Sequence, residues 1–152
     1  MITGIDQGEI ISPLLWIIYY NPLLALLKKK DLGFLMTGRR FINIYAGRNT
    51  VKHLTFLGCA YMDDTGFITN NQKNLERILI IADSFYQLND IKINKEKSEL
   101  LIKTNLKKLQ SYNASDNTIT IKFGADLINI TPLTNNNTIC FLGVWINANN
   151  TN

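Results

Sequence analysis

Apolar positions run almost unbroken from Leu14 to Leu27 (LLWIIYYNPLLALL) and then give way to Lys28, Lys29 and Lys30. Ser12 and Pro13 stand just before the run. A hydroxyl at the N-cap and a proline at the first helical position, where its missing N–H costs nothing, mark a helix start. The pattern predicts a buried helix over residues 13–30, bent at Pro22, ending in cations that complement its dipole, with Gly33 just beyond. Residues 34–45 and 51–60 carry aromatic and β-branched side chains interrupted by Gly38 and Gly47, which predicts strands and a turn. Residues 54–62 and 67–69 read as two short strands around Asp63-Asp64-Thr65-Gly66, whose residue types suit a tight hairpin turn.

Further on, Leu75, Ile78, Leu79, Ala82, Phe85 and Tyr86 recur at helical spacing, with Lys73, Glu76, Arg77 and Asp83 largely on other faces. That spacing predicts a helix over 71–89. Residues 91–94 and 100–102 read as strands, and 118–123 (TITIKF) alternates with period two. A last strand over 139–146 precedes a polar, Asn-rich tail, of which residues 148–152 are expected to be disordered. No internal repeat or linker divides the chain. The order helix, strands, helix, strands is that of an α+β fold in one compact unit.

A length of 152 residues with 46% apolar side chains is enough for the core of one ordinary domain. The net charge of +4 suits a polyanionic partner, but A/T-rich codons also favour Lys, Asn and Ile, so charge by itself identifies nothing. Cys59 and Cys140 are the only cysteines and His53 the only histidine, which excludes a disulfide framework and a Cys/His zinc cluster. An intracellular, reducing setting is expected. The apolar run is shorter than the roughly 20 residues a bilayer requires and contains Asn21 and Pro22. Without a basic segment before it or a cleavage site after it, neither a membrane span nor a secretory signal is expected.

The stretch AYMDDTGFIT sets Asp63 and Asp64 side by side between apolar runs. Repulsion makes such a pair costly to bury, and water or a cation must relieve it. Taken alone, an Asp-rich turn is ordinarily a solvated hairpin tip. Three more segments change that reading: Gly4-Ile5-Asp6-Gln7-Gly8-Glu9-Ile10-Ile11-Ser12-Pro13-Leu14-Leu15, Ile91-Lys92-Ile93-Asn94-Lys95-Glu96-Lys97-Ser98, and Phe141-Leu142-Gly143-Val144. Together with Tyr61-Met62-Asp63-Asp64 they resemble, in order and spacing, successive motifs of reverse transcriptases, most closely those of non-LTR, LINE-type retrotransposons. The Tyr-Met-Asp-Asp form is better known from retroviral-type enzymes; in LINE-type ones Ala often fills the second position.

This resemblance implies a partial polymerase palm over residues 1–147, an antiparallel sheet with a catalytic hairpin packed on helices. It implies an RNA-directed DNA polymerase acting on RNA template, DNA primer and dNTP with two Mg2+ or Mn2+ ions. Asp63 and Asp64 would ligate the metals, since hard cations prefer carboxylate oxygen. Gln7 and Gly8, with Tyr61 and Met62, would line the nucleotide. Lys97 would protonate the departing pyrophosphate, with Lys95 as the alternative. Leu142 and Gly143 would contact the primer end, and Ser12 and Pro13 would be structural first.

Family members carry a third metal-binding Asp on a strand before the Gln-Gly motif, as well as fingers and a thumb. Asp6 lies inside that motif and cannot be the third ligand. The resemblance is therefore to the second, C-terminal half of a palm, and the isolated chain is expected to be inactive, because lost positioning costs many powers of ten in rate. An uncovered sheet edge, open to association, is expected where the missing strand would pair. The alternative is a non-catalytic remnant or nucleic-acid-binding module with the palm fold, using Lys28-Lys29-Lys30 and Arg39-Arg40.

Overall fold

The structure, a computed structural model, describes residues 10–43, 48–61, 64–103, 112–133 and 137–147. Gly4, Asp6, Gln7, Gly8, Tyr45, Gly47, Met62, Asp63 and the tail 148–152 lie outside the described residues. Where length alone suggests one compact unit, the backbone groups into two, Met1–Ile78 and Leu79–Asn152.

In the first unit, α1 (Ser12–Lys30) starts one residue before the expected position. Ile11 occupies the N-cap with no side-chain cap bond, so Ser12 is a helical residue and not the cap. Pro13 stands among the first helical positions and Lys28, Lys29 and Lys30 fill the last turn. The helix ends at Asp31, which takes the left-handed conformation (φ 49°) and donates its N–H to the Lys28 carbonyl at 3.1 Å. That is a role glycine usually fills. Gly33 answers a different demand, because a Cβ there would lie 2.6 Å from the Phe56 carbonyl oxygen.

The helix runs on through Pro22, whose missing N–H deprives the Ile18 carbonyl of its helical donor. It is not buried all round: Tyr20, Leu23 and Leu27 form a narrow buried stripe, and Leu14, Leu15, Ile17, Ile18 and Leu26 are exposed. An evenly apolar helix has no intrinsic inner face, so its neighbours choose one. No helix among the described residues is long and apolar enough to cross a membrane.

β1 (Phe34–Asn43) and β2 (Arg48–Phe56) pair antiparallel from Phe34 opposite Phe56 to Asn43 opposite Arg48, with a register shift between Phe41 and Asn43. Gly38 does not interrupt β1; it pairs with Lys52, since the ladder uses its backbone and needs no side chain. β3 (Gly58–Tyr61) and β4 (Asp64–Phe67) make a separate two-stranded sheet.

Helix α2 (Gln72–Leu88) spans the division between the units. The Asn71 side chain accepts the Asn74 N–H at 2.9 Å, an N-cap bond. At the other end Asp90 is left-handed (φ 54°), and Ile91 donates to the Tyr86 carbonyl at 2.8 Å while Asp90 donates to that of Gln87 at 3.3 Å. These two bonds are the Schellman pattern. Because the Ile91 N–H serves the helix end, the strand expected over 91–94 does not form, and a 3-10 turn at Lys95–Lys97 follows. The strand expected over 100–102 reduces to a single parallel bridge, Leu101 to Leu133.

β5 (Tyr112–Asn113), β6 (Thr118–Phe123) and β7 (Asp126–Ile130) form a three-stranded antiparallel sheet. β6 has the expected bounds and buries Ile119, Ile121 and Phe123 on one face, as period two requires. On α2 the buried residues of the same unit are Leu79, Ala82, Asp83 and Tyr86, one helical stripe. The last strand expected over 139–146 is instead a hairpin of β8 (Thr138–Phe141) and β9 (Val144–Asn147). Among the described residues, two α-helices and several small antiparallel sheets give an α+β fold.

Ile121 is 2% exposed and Leu127, on β7, is 72% exposed. Ile121→Ala is expected to lower stability by about 2–5 kcal/mol, and Leu127→Ala by less than about 0.5 kcal/mol, in urea unfolding. Equal costs would place the core elsewhere.

Candidate active site

The β3–β4 hairpin is built on a backbone contact. Gly58 has φ 150°, and a Cβ on it would stand 2.0 Å from the Gly66 carbonyl oxygen, so no other residue fits. From there the ladder runs Gly58 to Phe67, Cys59 to Gly66, Ala60 to Thr65 and Tyr61 to Asp64, and Ile68 extends it by donating to the Leu57 carbonyl at 2.8 Å. The expected turn is thus displaced. Asp64, Thr65 and Gly66 belong to β4, and only positions 62 and 63 separate the paired strand ends. A strand pair needs few turn residues once the glycine approach has set its register, which is why the Asp-Thr-Gly turn signal misleads.

Tyr61 and Asp64 face each other across the ladder and both are exposed, whereas Ala60 and Thr65 are half-buried on the opposite face. Asp64 therefore presents its carboxylate to water. A carboxylate in that position is a hard oxygen donor of the kind divalent cations take. Among the described residues there is no group of three metal-ligating side chains, and Asp63 lies outside them. The donor chemistry at Asp64 fits a divalent cation, and Asp63 would have to complete the pair.

Lys95 and Lys97 share the 3-10 turn but differ in surroundings. The Lys95 ammonium lies 2.6 Å from Asp126 Oδ2, 3.4 Å from Asp83 Oδ1 and 4.8 Å from the Phe123 ring centroid. It also donates to the Phe123 carbonyl at 3.4 Å. The hydrogen bond to Asp126, with Asp83 adding to it, raises its pKa above the usual lysine value, against the opposing effect of burial. The buried Asp83 carboxylate accepts a second bond, from Gln87 Nε2 at 2.8 Å. Lys97 is exposed.

Leu142 and Gly143 form the two-residue turn between β8 and β9, with φ 51° and 78°. Two consecutive positive φ values are the type I′ pattern that matches strand twist. Open space surrounds the position a Gly143 Cβ would take, so its need for glycine is conformational. Leucine at the preceding position is unusual, which is why sequence patterns read one strand here.

Of the residues singled out from the sequence, Tyr61 and Asp64 come together on one hairpin; they belong to the first unit. Lys97, Leu142 and Gly143 belong to the second. Gln7, Gly8, Met62 and Asp63 lie outside the described residues, as do the side chains of Arg39 and Arg40. The Asp83–Lys95–Asp126 cluster was not legible, because its members are scattered over a helix, a turn and a strand with no shared periodicity.

Comparison with known protein families matches residues 2–146 to the family described as "Reverse transcriptase (RNA-dependent DNA polymerase)". No curated protein and no solved structure matches.

The left-handed conformation costs a leucine roughly 1–2 kcal/mol. Leu142→Asn is therefore expected to raise stability by about 1 kcal/mol, seen as a higher urea midpoint. A lower midpoint would mean that the leucine side chain contributes packing that outweighs its strain.

Proposed function

The chain belongs to the reverse transcriptase (RNA-dependent DNA polymerase) family, and from that premise we propose that residues 1–147 are part of the palm of a non-LTR, LINE-type retrotransposon polymerase. The observation that carries the reading is the hairpin that sets exposed Asp64 opposite exposed Tyr61. The family uses divalent metal ions and implies a nucleic-acid template and primer. Two such ions, Mg2+ or Mn2+, would stabilise the attacking and leaving oxygens of an in-line displacement when bound.

Asp63 and Asp64 would hold the ions. Gln7, Gly8, Tyr61 and Met62 would border the dNTP, and Leu142 and Gly143 would steady the DNA primer paired to its RNA template. Lys97 Nζ would give its proton to the departing pyrophosphate. Lys95 suits that step less well, because two carboxylates hold its ammonium. These 152 residues assayed by themselves would be inactive, since the family pattern calls for a third carboxylate on a further strand. Such a strand could pair with the β3–β4 sheet, which has only two strands among the described residues. The same free edge could serve association with another chain.

The test is extension of oligo(dT) on poly(rA) with Mg2+ or Mn2+. The chain alone should give none, and the chain joined to a segment bearing the third carboxylate should extend. In that longer protein Asp63→Asn/Asp64→Asn should cost at least about a thousandfold, and Lys97→Ala about 100-fold in single-nucleotide rate. Full activity of the double variant would remove the carboxylates from the chemistry, and an unchanged rate for Lys97→Ala would remove the proton donor.

A second reading, a nucleic-acid-binding module without catalysis, draws on Lys28, Lys29 and Lys30, all exposed in the last turn of α1. Single-strand binding that weakens steeply with salt, by a log–log slope of about −0.7 per phosphate contact, with no dependence on metal, would favour it.

A further inference from the structure

Thr65, the residue after Asp64, reaches back to the helix that begins the described chain. Its Oγ1 lies 3.2 Å from the hydroxyl of Tyr20, 45 positions earlier. Tyr20 is 5% exposed, in the same buried stripe of α1 as Leu23 and Leu27. Its ring lies against Trp16, with centroids 4.5 Å apart. A phenol held in this way has two side-chain torsions, both restricted by packing, so its hydroxyl is a fixed point. Strand alternation does the rest: Thr65 faces the helix side of β4, so Asp64 faces the other side, into water.

The hairpin needs such a point. Its ladder has four residue pairs and, among the described residues, no third strand. A two-stranded hairpin is marginal in water by itself. The Gly58 approach to Gly66 fixes the register of one strand on the other but not how the pair lies against α1, where the Thr65–Tyr20 bond acts within the ladder and the bond from Thr69 Oγ1 to the Leu32 carbonyl, at 3.0 Å, acts beyond its end.

We propose that Tyr20 is a positioning residue: by hydrogen-bonding Thr65 it fixes the roll of β4 on α1 and so the aim of the Asp64 carboxylate, without touching substrate or metal. The proposal deepens the polymerase reading and rests on Asp64 as a metal ligand. Sequence patterns give no sign of it, because tyrosine in an apolar helix reads as core and threonine in a strand reads as propensity.

The test uses the full chain and Tyr20→Phe, which removes the hydroxyl and keeps the ring, with Thr65→Val as the reciprocal change. Two quantities are read: Mn2+ affinity, by paramagnetic resonance titration, and amide hydrogen exchange at Tyr61 and Asp64. Removing a group that orients a metal ligand typically costs about tenfold or more in affinity. The expected result is a loss of about tenfold in Mn2+ affinity for either variant, no further loss in the double variant, recovery in Thr65→Ser, and faster exchange confined to β3 and β4. A role in packing alone would instead lower the urea midpoint and leave Mn2+ affinity where it was.

Unchanged affinity in Tyr20→Phe, where Asp63→Asn/Asp64→Asn abolishes Mn2+ binding, overturns the proposal and leaves the polymerase reading intact. If the double aspartate variant binds Mn2+ like the wild type, the metal reading fails. Hydrogen exchange then decides the tether: faster exchange in Tyr20→Phe keeps it, and unchanged exchange removes it.

Discussion

The approach of Gly58 to the Gly66 carbonyl is the constraint on which the β3–β4 hairpin depends. It allows the two strands to meet, sets Cys59 opposite Gly66, and counts the ladder forward to Tyr61 opposite Asp64. A one-residue slip would turn Asp64 toward the half-buried face and Thr65 toward water. The glycines thus decide which side chain is offered to solvent, although neither has a side chain to contribute. The carboxylate is left where water or a cation can stabilise its charge.

The second unit handles a carboxylate in the opposite way. Asp83 is buried on α2, and its charge is met by the Lys95 ammonium and the Gln87 amide. A Cβ on Gly124, in the β6–β7 turn, would collide with that carboxylate, so the turn glycine also makes room for it. Lys95 then joins Asp83 to Asp126 at the start of β7. One lysine of the 3-10 turn is thereby anchored while Lys97, two residues on, projects into solvent.

Helices α1 and α2, strand β6 and the family were legible because each announces itself locally. The α2 stripe recurs every three or four residues, β6 alternates in polarity, and the motifs hold their order along the chain. The misreadings came from residues in atypical roles. Asp31 and Asp90 take left-handed positions that glycine usually marks, and Leu142 takes one in the β8–β9 turn. Ile91, a strand former by composition, gives its N–H to the end of α2. At 64–66 turn-forming residues continue a ladder, because pairing set by a neighbouring glycine outweighs local propensity.

The sequence by itself determined the α+β class, the main helices, the alternation of β6 and membership of the polymerase family, since these rest on periodicity and on motifs read within short windows. Only the tertiary structure decided which stripe of an evenly apolar α1 is buried, which of two neighbouring lysines is held by carboxylates, and that Tyr20 meets Thr65. Those outcomes depend on partners distant along the chain. A side chain's local pattern states what it can bury or bond, and the fold states which partner it finds.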